Sequence, residues 1–195
     1  GWMSNWQYAN VVPTTAWRSS LTIPRILSLE KVGKSFYVTS TVPKEIETTF
    51  RPLKKYHGGR TKEVSFEQNL PQAYRVDLKN LKQQEFKIIL SNDFGEELII
   101  GYHQATNEYY IDRSKSGEVS FSAEFAKTAF AQRLSNNSEV SLVLYVDVSS
   151  IEVFADGGLT VMTSLFFPNK PMTKMHVLGD RELEFQDIGI DAFTK

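Results

Sequence analysis

Five apolar residues at every second position, Val140, Leu142, Leu144, Val146 and Val148, form the longest of many period-two runs in this sequence. Side chains alternate between faces along a β-strand, so such a run builds a sheet with one dry face. Tyr74, Val76 and Leu78 alternate with Arg75, Asp77 and Lys79, and Phe86, Ile88 and Leu90 repeat the pattern, as do Leu98, Ile100 and Tyr102. Val143 and Tyr145, on the other side of the longest run, predict a central strand covered on both faces. Ile151, Val153 and Ala155 follow, and Asp156-Gly157-Gly158 separates them from the β-rich run 159–163. Asp-Gly between two such runs predicts a hairpin, because its turn needs the positive φ that Gly and Asp tolerate. Two last strands are expected near 174–178 and 182–189. Roughly nine to eleven short strands at this spacing predict an all-β fold, an antiparallel β-sandwich. Phe121, Phe125 and Ala129 stand four apart, which allows one short helix or turn near 121–131.

With 41% hydrophobic residues, the 195-residue chain can bury a real core. Its net charge of −1 gives no electrostatic case for nucleic acid or an anionic membrane surface. Lys54-Lys55 and Lys79 with Lys82 are too short as clusters to make a binding stripe. No apolar run approaches the roughly 20 residues of a membrane-spanning helix. Gly1-Trp2-Met3-Ser4 has neither the basic start nor the apolar stretch of a signal peptide, and the chain reads as a fragment.

The absence of cysteine removes disulfides, thiolate-bound zinc and a cysteine nucleophile. No metal-binding motif and no phosphate-cradling loop is present, so no metal and no cofactor is expected. His57 lies in Tyr56-His57-Gly58-Gly59-Arg60, which reads as a glycine-rich loop, His103 ends a strand, and His176 sits between Met175 and Val177. None has a nearby serine and acid in a nucleophile elbow. Retaining glycosidases use two carboxyl groups about 5–5.5 Å apart. Asp77, Asp112, Asp147, Glu152 and Asp156 all lie on strands or at their ends, where alternating acids are expected on the solvent face.

The first thirty residues differ in character. Trp2, Trp6 and Trp17 are the only tryptophans, and Asn5, Gln7, Asn10, Thr14, Thr15 and Arg18 lie among them. Flat aromatic faces pack against the C–H side of a sugar ring while amides and Arg bind its hydroxyls. The same tryptophans would equally suit a domain interface. Tyr102, Tyr109, Tyr110 and Phe154 are further candidate platforms if the sandwich itself binds sugar, although core packing also accounts for them. A turn and domain seam are expected at Glu30-Lys31-Val32-Gly33-Lys34.

Three blocks resemble one family. The first is Gly1-Trp2-Met3-Ser4-Asn5-Trp6-Gln7-Tyr8-Ala9-Asn10, with Val12-Pro13-Thr14, Trp17-Arg18 and Leu21-Thr22-Ile23-Pro24-Arg25. The second is Tyr109-Tyr110-Ile111-Asp112-Arg113-Ser114-Lys115-Ser116-Gly117, and the third runs from Asp147 through Gly158 to Thr163. Together they resemble glycoside hydrolase family 32, which contains levanases, inulinases and invertases. The resemblance implies a β-propeller joined to a jelly-roll or concanavalin-like β-sandwich. Residues 1–30 would then be a remnant of the last blade and 34–195 the sandwich. It implies a parent that acts on levan, inulin or sucrose with retention, in the periplasm or outside the cell. The family's three catalytic carboxylate motifs do not occur here, so this chain is expected to have no catalytic residue and no activity alone. Trp2, then Trp6, with Asn5 and Trp17 behind them, match the family's pocket wall. Arg25 matches a structural Arg, but Ile26 stands where the family has Glu, which leaves a local ion pair without its acid. Substrate would be met together with the missing propeller. The alternatives are a carbohydrate-binding module, or a structural domain that forms a homo-oligomer through the sandwich or an exposed blade edge.

Overall fold

A computed structural model describes residues 1–67 and 70–194. After an irregular N-terminal segment, β1 (Ile26–Val32) and β2 (Ser35–Thr41) form a hairpin of their own. The turn expected near Glu30–Lys34 is the tip of this hairpin, where Gly33 takes a φ of 61°. One helical turn, α1 (Lys44–Glu47), leads into β3 (Phe50–Phe66). The remaining strands are β4 (Tyr74–Lys82), β5 (Phe86–Ser91), β6 (Glu97–His103), β7 (Glu108–Lys115), β8 (Ala129–Gln132), β9 (Glu139–Val146), β10 (Ser150–Ala155), β11 (Thr160–Leu165) and β12 (Lys174–Phe193).

The sandwich is made by one long strand that belongs to both sheets. The first part of β12 pairs with β5, from Lys174 opposite Ser91 to Gly179 opposite Phe86. Its last part pairs with β4, from Asp187 opposite Lys79 to Ala192 opposite Tyr74. On its other edge β3 follows it throughout, with a register break between Leu178 and Leu183. One sheet therefore continues β12-β4-β9-β10-β11 and the other β12-β5-β6-β7-β8, all antiparallel. The two strands expected at 174–178 and 182–189 are thus one bent strand.

The period-two residues meet between the sheets. Val76, Leu78, Leu142, Leu144 and Val153 from one sheet share a core with Ile88, Leu90, Leu98, Ile100 and Ile111 from the other. Each such side chain, fully buried, contributes about 1.5–3 kcal/mol. Strand β9 lies between β4 and β10, and Tyr145 on its second face is also buried, as expected of a central strand. The alternation ends at Val146: Asp147 turns the chain by donating its N–H to the Ser150 carbonyl, and Val148 is exposed. The expected hairpin joins β10 to β11, with Asp156, Gly157 and Gly158 all at positive φ. A Cβ at Gly158 would collide with the Ser40 carbonyl of β2, so this glycine lets the N-terminal hairpin sit on the sandwich.

One local expectation differs from the structure, and another resolves to its second alternative, a turn. The stretch around His57 is no loop but the middle of β3, a largely exposed strand whose polar composition hides it. Near 121–131 there are turns followed by β8, and the four-residue spacing reflects Phe121 packing on Phe125 at 4.5 Å between ring centroids.

Candidate functional site

The N-terminal segment folds back on itself. Met3 N–H donates to the Ser20 carbonyl at 3.0 Å and Thr22 N–H to the Gly1 carbonyl at 2.8 Å, which pairs 1–3 with 20–22. Between these stretches the Asn5 carbonyl accepts the N–H groups of Tyr8 and Ala9, and its side-chain oxygen accepts that of Gln7 at 2.9 Å. This turn brings Trp6 over Trp2, with ring centroids 5.1 Å apart and planes 56° apart. The Trp2 indole N–H donates to Ser19 Oγ at 2.5 Å, which fixes its ring. Trp2 is 39% and Trp6 86% exposed, so two indoles and the Asn5 amide form an accessible aromatic and polar wall. Trp17 does not join them. It packs beside Phe167, 6.5 Å between centroids, along a groove that Pro13, Thr14, Glu118 and Ser149 also line.

Two arginines tie this wall to the sandwich. Arg25 pairs with Glu152 at 2.6 Å and donates to Thr163 Oγ1 at 2.9 Å, and the Ile23 N–H reaches the other Glu152 oxygen at 2.7 Å. The acid missing after Arg25 in sequence is therefore supplied by β10. Arg113 of β7 donates to the carbonyls of Phe125 and Leu165, to Ser164 Oγ and to the Tyr8 hydroxyl, at 2.7–3.1 Å. Its guanidinium lies 3.9 Å from the Phe125 ring centroid, a cation–π contact strengthened by burial. Tyr8, Val12, Phe125, Leu165 and Phe167 close a second small core around it. A cavity of about 580 Å³ remains between the segment and the sandwich, with Met3, Leu21 and Ile23 facing Phe50, Tyr145 and Phe193.

The strand acids are not all on the solvent face. Glu152 is buried under Arg25, and Asp156 is buried against Arg133 and Tyr109. The apolar run of β10 signals this: a strand covered on both faces can hold an acid only if a cation meets it. Each histidine takes an acid, His57 with Asp187, His103 with Glu85 and His176 with Glu63, at 2.6–2.9 Å. His176 also has Ser65 Oγ at 3.2 Å, but serine and acid share Nδ1, and Ser65 donates to Glu63 directly. A nucleophile relay needs the hydroxyl and the acid on opposite ring nitrogens, so this cluster is no triad.

Among the described residues, every carboxyl group whose pKa departs from the ordinary value moves down: Glu63, Glu85, Glu96, Glu184 and Asp187. At Glu96 burial pushes upward, but the Asn92 amide, both nitrogens of Asn169 and the Lys170 N–H together outweigh it. A depressed carboxyl stabilises the fold above its unfolded pKa and loses that stabilisation as pH falls through the folded value. The melting temperature should therefore fall on acidification below about pH 4.5. Glu96→Gln should flatten that fall, as thermal unfolding between about pH 6 and about pH 3 would measure. An unchanged slope would deny Glu96 a part in it.

Of the sandwich tyrosines and phenylalanine considered as platforms, Tyr102, Tyr109 and Phe154 are buried, whereas Tyr110 is half-buried on an outer face.

A ten-stranded antiparallel sandwich carrying a two-stranded hairpin and an anchored tryptophan–amide wall fits the accessory β-module of a carbohydrate-active enzyme. The family follows from known proteins: the family model described as "Glycosyl hydrolases family 32 C terminal" matches residues 28–191, and the chain belongs to that family. It is 32% identical to an extracellular exo-inulinase of Aspergillus awamori, over 87% of this chain and 33% of that relative. It is 33% identical to a levanase of Bacillus subtilis (strain 168), over 87% of this chain and 26% of the relative. The solved exo-inulinase of Aspergillus awamori superposes with a TM-score of 0.87 at 28% identity, covering 100% of this chain and 40% of that one. The chain spans about a third or less of the length of these two relatives.

Proposed function

We propose that this chain is the C-terminal part of a secreted enzyme that hydrolyses fructosyl linkages of levan, inulin or sucrose with retention, through a covalent fructosyl intermediate. Residues 1–30 are the tail of its last propeller blade and 34–195 its bracing sandwich. Trp2 packs beside the terminal fructosyl unit, Trp6 and Asn5 extend that wall, and Trp17 supports it from the neighbouring groove. The nucleophile and the acid/base come from the propeller, and this chain alone is inactive.

The observation that carries this reading is the accessible Trp2–Trp6 pair held on the sandwich by the Arg25–Glu152 ion pair. The printed names of the relatives, exo-inulinase and levanase, support the substrate class. In the longer enzyme, Trp2→Ala should lower kcat/KM for sucrose by about ten- to a hundredfold, since a buried aromatic face contributes about 1.5–3 kcal/mol. An unchanged kcat/KM would overturn the assignment of Trp2.

A second reading, self-association, is favoured by the hairpin. Leu27, Leu29, Phe36 and Val38 share one of its faces, and all four are exposed. Such a face is covered in a stable protein, by the preceding blades or by another copy. Sedimentation of the 195-residue chain separates these: a concentration-dependent dimer supports self-association, and a monomer supports the blades.

A further inference from the structure

The outer face of the β6-β7-β8 sheet carries a group of rings that neither the core nor the tryptophan wall uses. Tyr110 of β7 stands opposite Gly101 of β6, and a Cβ at 101 would run into its ring. The glycine therefore lets the phenol lie down on the sheet. His103 stacks on Tyr110, 4.4 Å between centroids and 16° between planes. Phe130 of β8 completes the group at 6.3 Å from each, and it is 56% exposed. An aromatic ring covering a sheet glycine accounts for Tyr110. It does not account for a phenylalanine left in water on a four-residue edge strand beside two near-parallel rings.

The polar groups around these rings suit an uncharged partner rich in hydroxyls. His103 Nδ1 meets the Glu85 carboxylate at 2.6 Å, so Nδ1 is the donor. Among the described residues Nε2 makes no hydrogen bond, and it can meet a hydroxyl as an acceptor in the neutral ring or as a donor in the charged one. The second Glu85 oxygen accepts the Gln104 N–H at 2.8 Å, and Asp112 shares the outer face with Tyr110. Acceptors of this kind take hydroxyl donors; the exposed Lys87, opposite Gly101 on the same face, adds a donor for hydroxyl oxygens, and the ring faces take C–H surfaces.

We propose that His103, Tyr110 and Phe130 form a second carbohydrate site, a platform on the sandwich that holds a fructan chain away from the tryptophan wall. The fructan assignment rests on the substrate class proposed above, whereas the platform rests on this geometry alone. A polymer held there stays near the enzyme between cleavage events, which raises its effective concentration.

Affinity electrophoresis of the 195-residue chain in gels containing levan, inulin or dextran tests this. Retardation by levan or inulin is expected, and the two arms identify the linkage. Phe130→Ala and Tyr110→Leu should each weaken it about five- to tenfold, with thermal midpoints showing both variants folded. Phe94→Ala, an exposed ring in another loop, should leave it unchanged. Equal retardation by dextran, no retardation in either fructan gel, or retardation that survives Phe130→Ala would overturn the proposal. So would a dimer dispersed by Phe130→Ala and indifferent to levan. None of these results bears on Trp2, which the kinetics of Trp2→Ala test separately.

Discussion

Asp156→Asn is expected to destabilise this chain by about 3–5 kcal/mol, a large part of a domain's total stability. Arg133 and Asp156 are 1% and 3% exposed at their side chains. Arg133 Nε donates to Asp156 Oδ2 at 2.8 Å and Nη2 to Oδ1 at 3.2 Å. The Tyr109 hydroxyl donates to the same carboxylate at 2.8 Å, and the guanidinium also reaches the carbonyls of Asn137 and Glu139, both at 2.9 Å. Burial alone would lower the Arg133 pKa, yet Asp156 and Tyr109 hold it above the ordinary value. Asparagine keeps the shape and tolerates the positive φ at 156, but it removes the charge and leaves a buried guanidinium without a counterion. The position magnifies the loss. Tyr109 belongs to the β5–β8 sheet, Arg133 directly follows β8, and Asp156 lies in the turn between β10 and β11, so the cluster clasps the two sheets together. That turn also seats the N-terminal hairpin through Gly158 and Ser40. Urea unfolding would measure the effect as a lower midpoint at unchanged slope. The double replacement with Arg133→Met should recover part of it, because it removes the stranded charge. A loss below about 1 kcal/mol would mean that water reaches the pair.

The sandwich was legible because its strands are half-dry. Val76, Leu78, Ile88, Leu90, Ile100 and Leu142 alternate in sequence, and all are buried. The signal fails where a strand is wet on both faces or changes sheets. β3 carries Lys54, Lys55, Arg60 and Lys62 and buries only its last residues, so nothing periodic marks its first half. β12 contains Gly179-Asp180, which reads as a stop although the chain bends there and goes on. The candidate wall was visible through its aromatic and amide content and the family resemblance. Its anchoring was not, because Arg25 and Glu152 are 127 residues apart and each reads alone as a surface charge. Trp17 shows the converse, since composition groups it with Trp2 and Trp6 while packing sends it to Phe167.

The largest expected effect concerns catalysis. Retention needs a nucleophilic carboxylate and a second carboxyl about 5–5.5 Å away whose pKa is raised enough to protonate the leaving oxygen. Among the described residues every carboxyl with a displaced pKa is displaced downward by donors that hold it ionised. The two acids buried on β10 and in the turn after it are occupied, Glu152 by Arg25 and the Ile23 N–H, Asp156 by Arg133 and Tyr109. A wall of tryptophans can orient a fructosyl unit, but it cannot supply the acceleration of about 10⁶-fold or more that enzymes achieve. The decisive measurement is fructose release by the purified 195-residue chain incubated with sucrose, levan and inulin. The account predicts none above the rate in buffer; turnover on the order of 1 s⁻¹ with any of the three would contradict it.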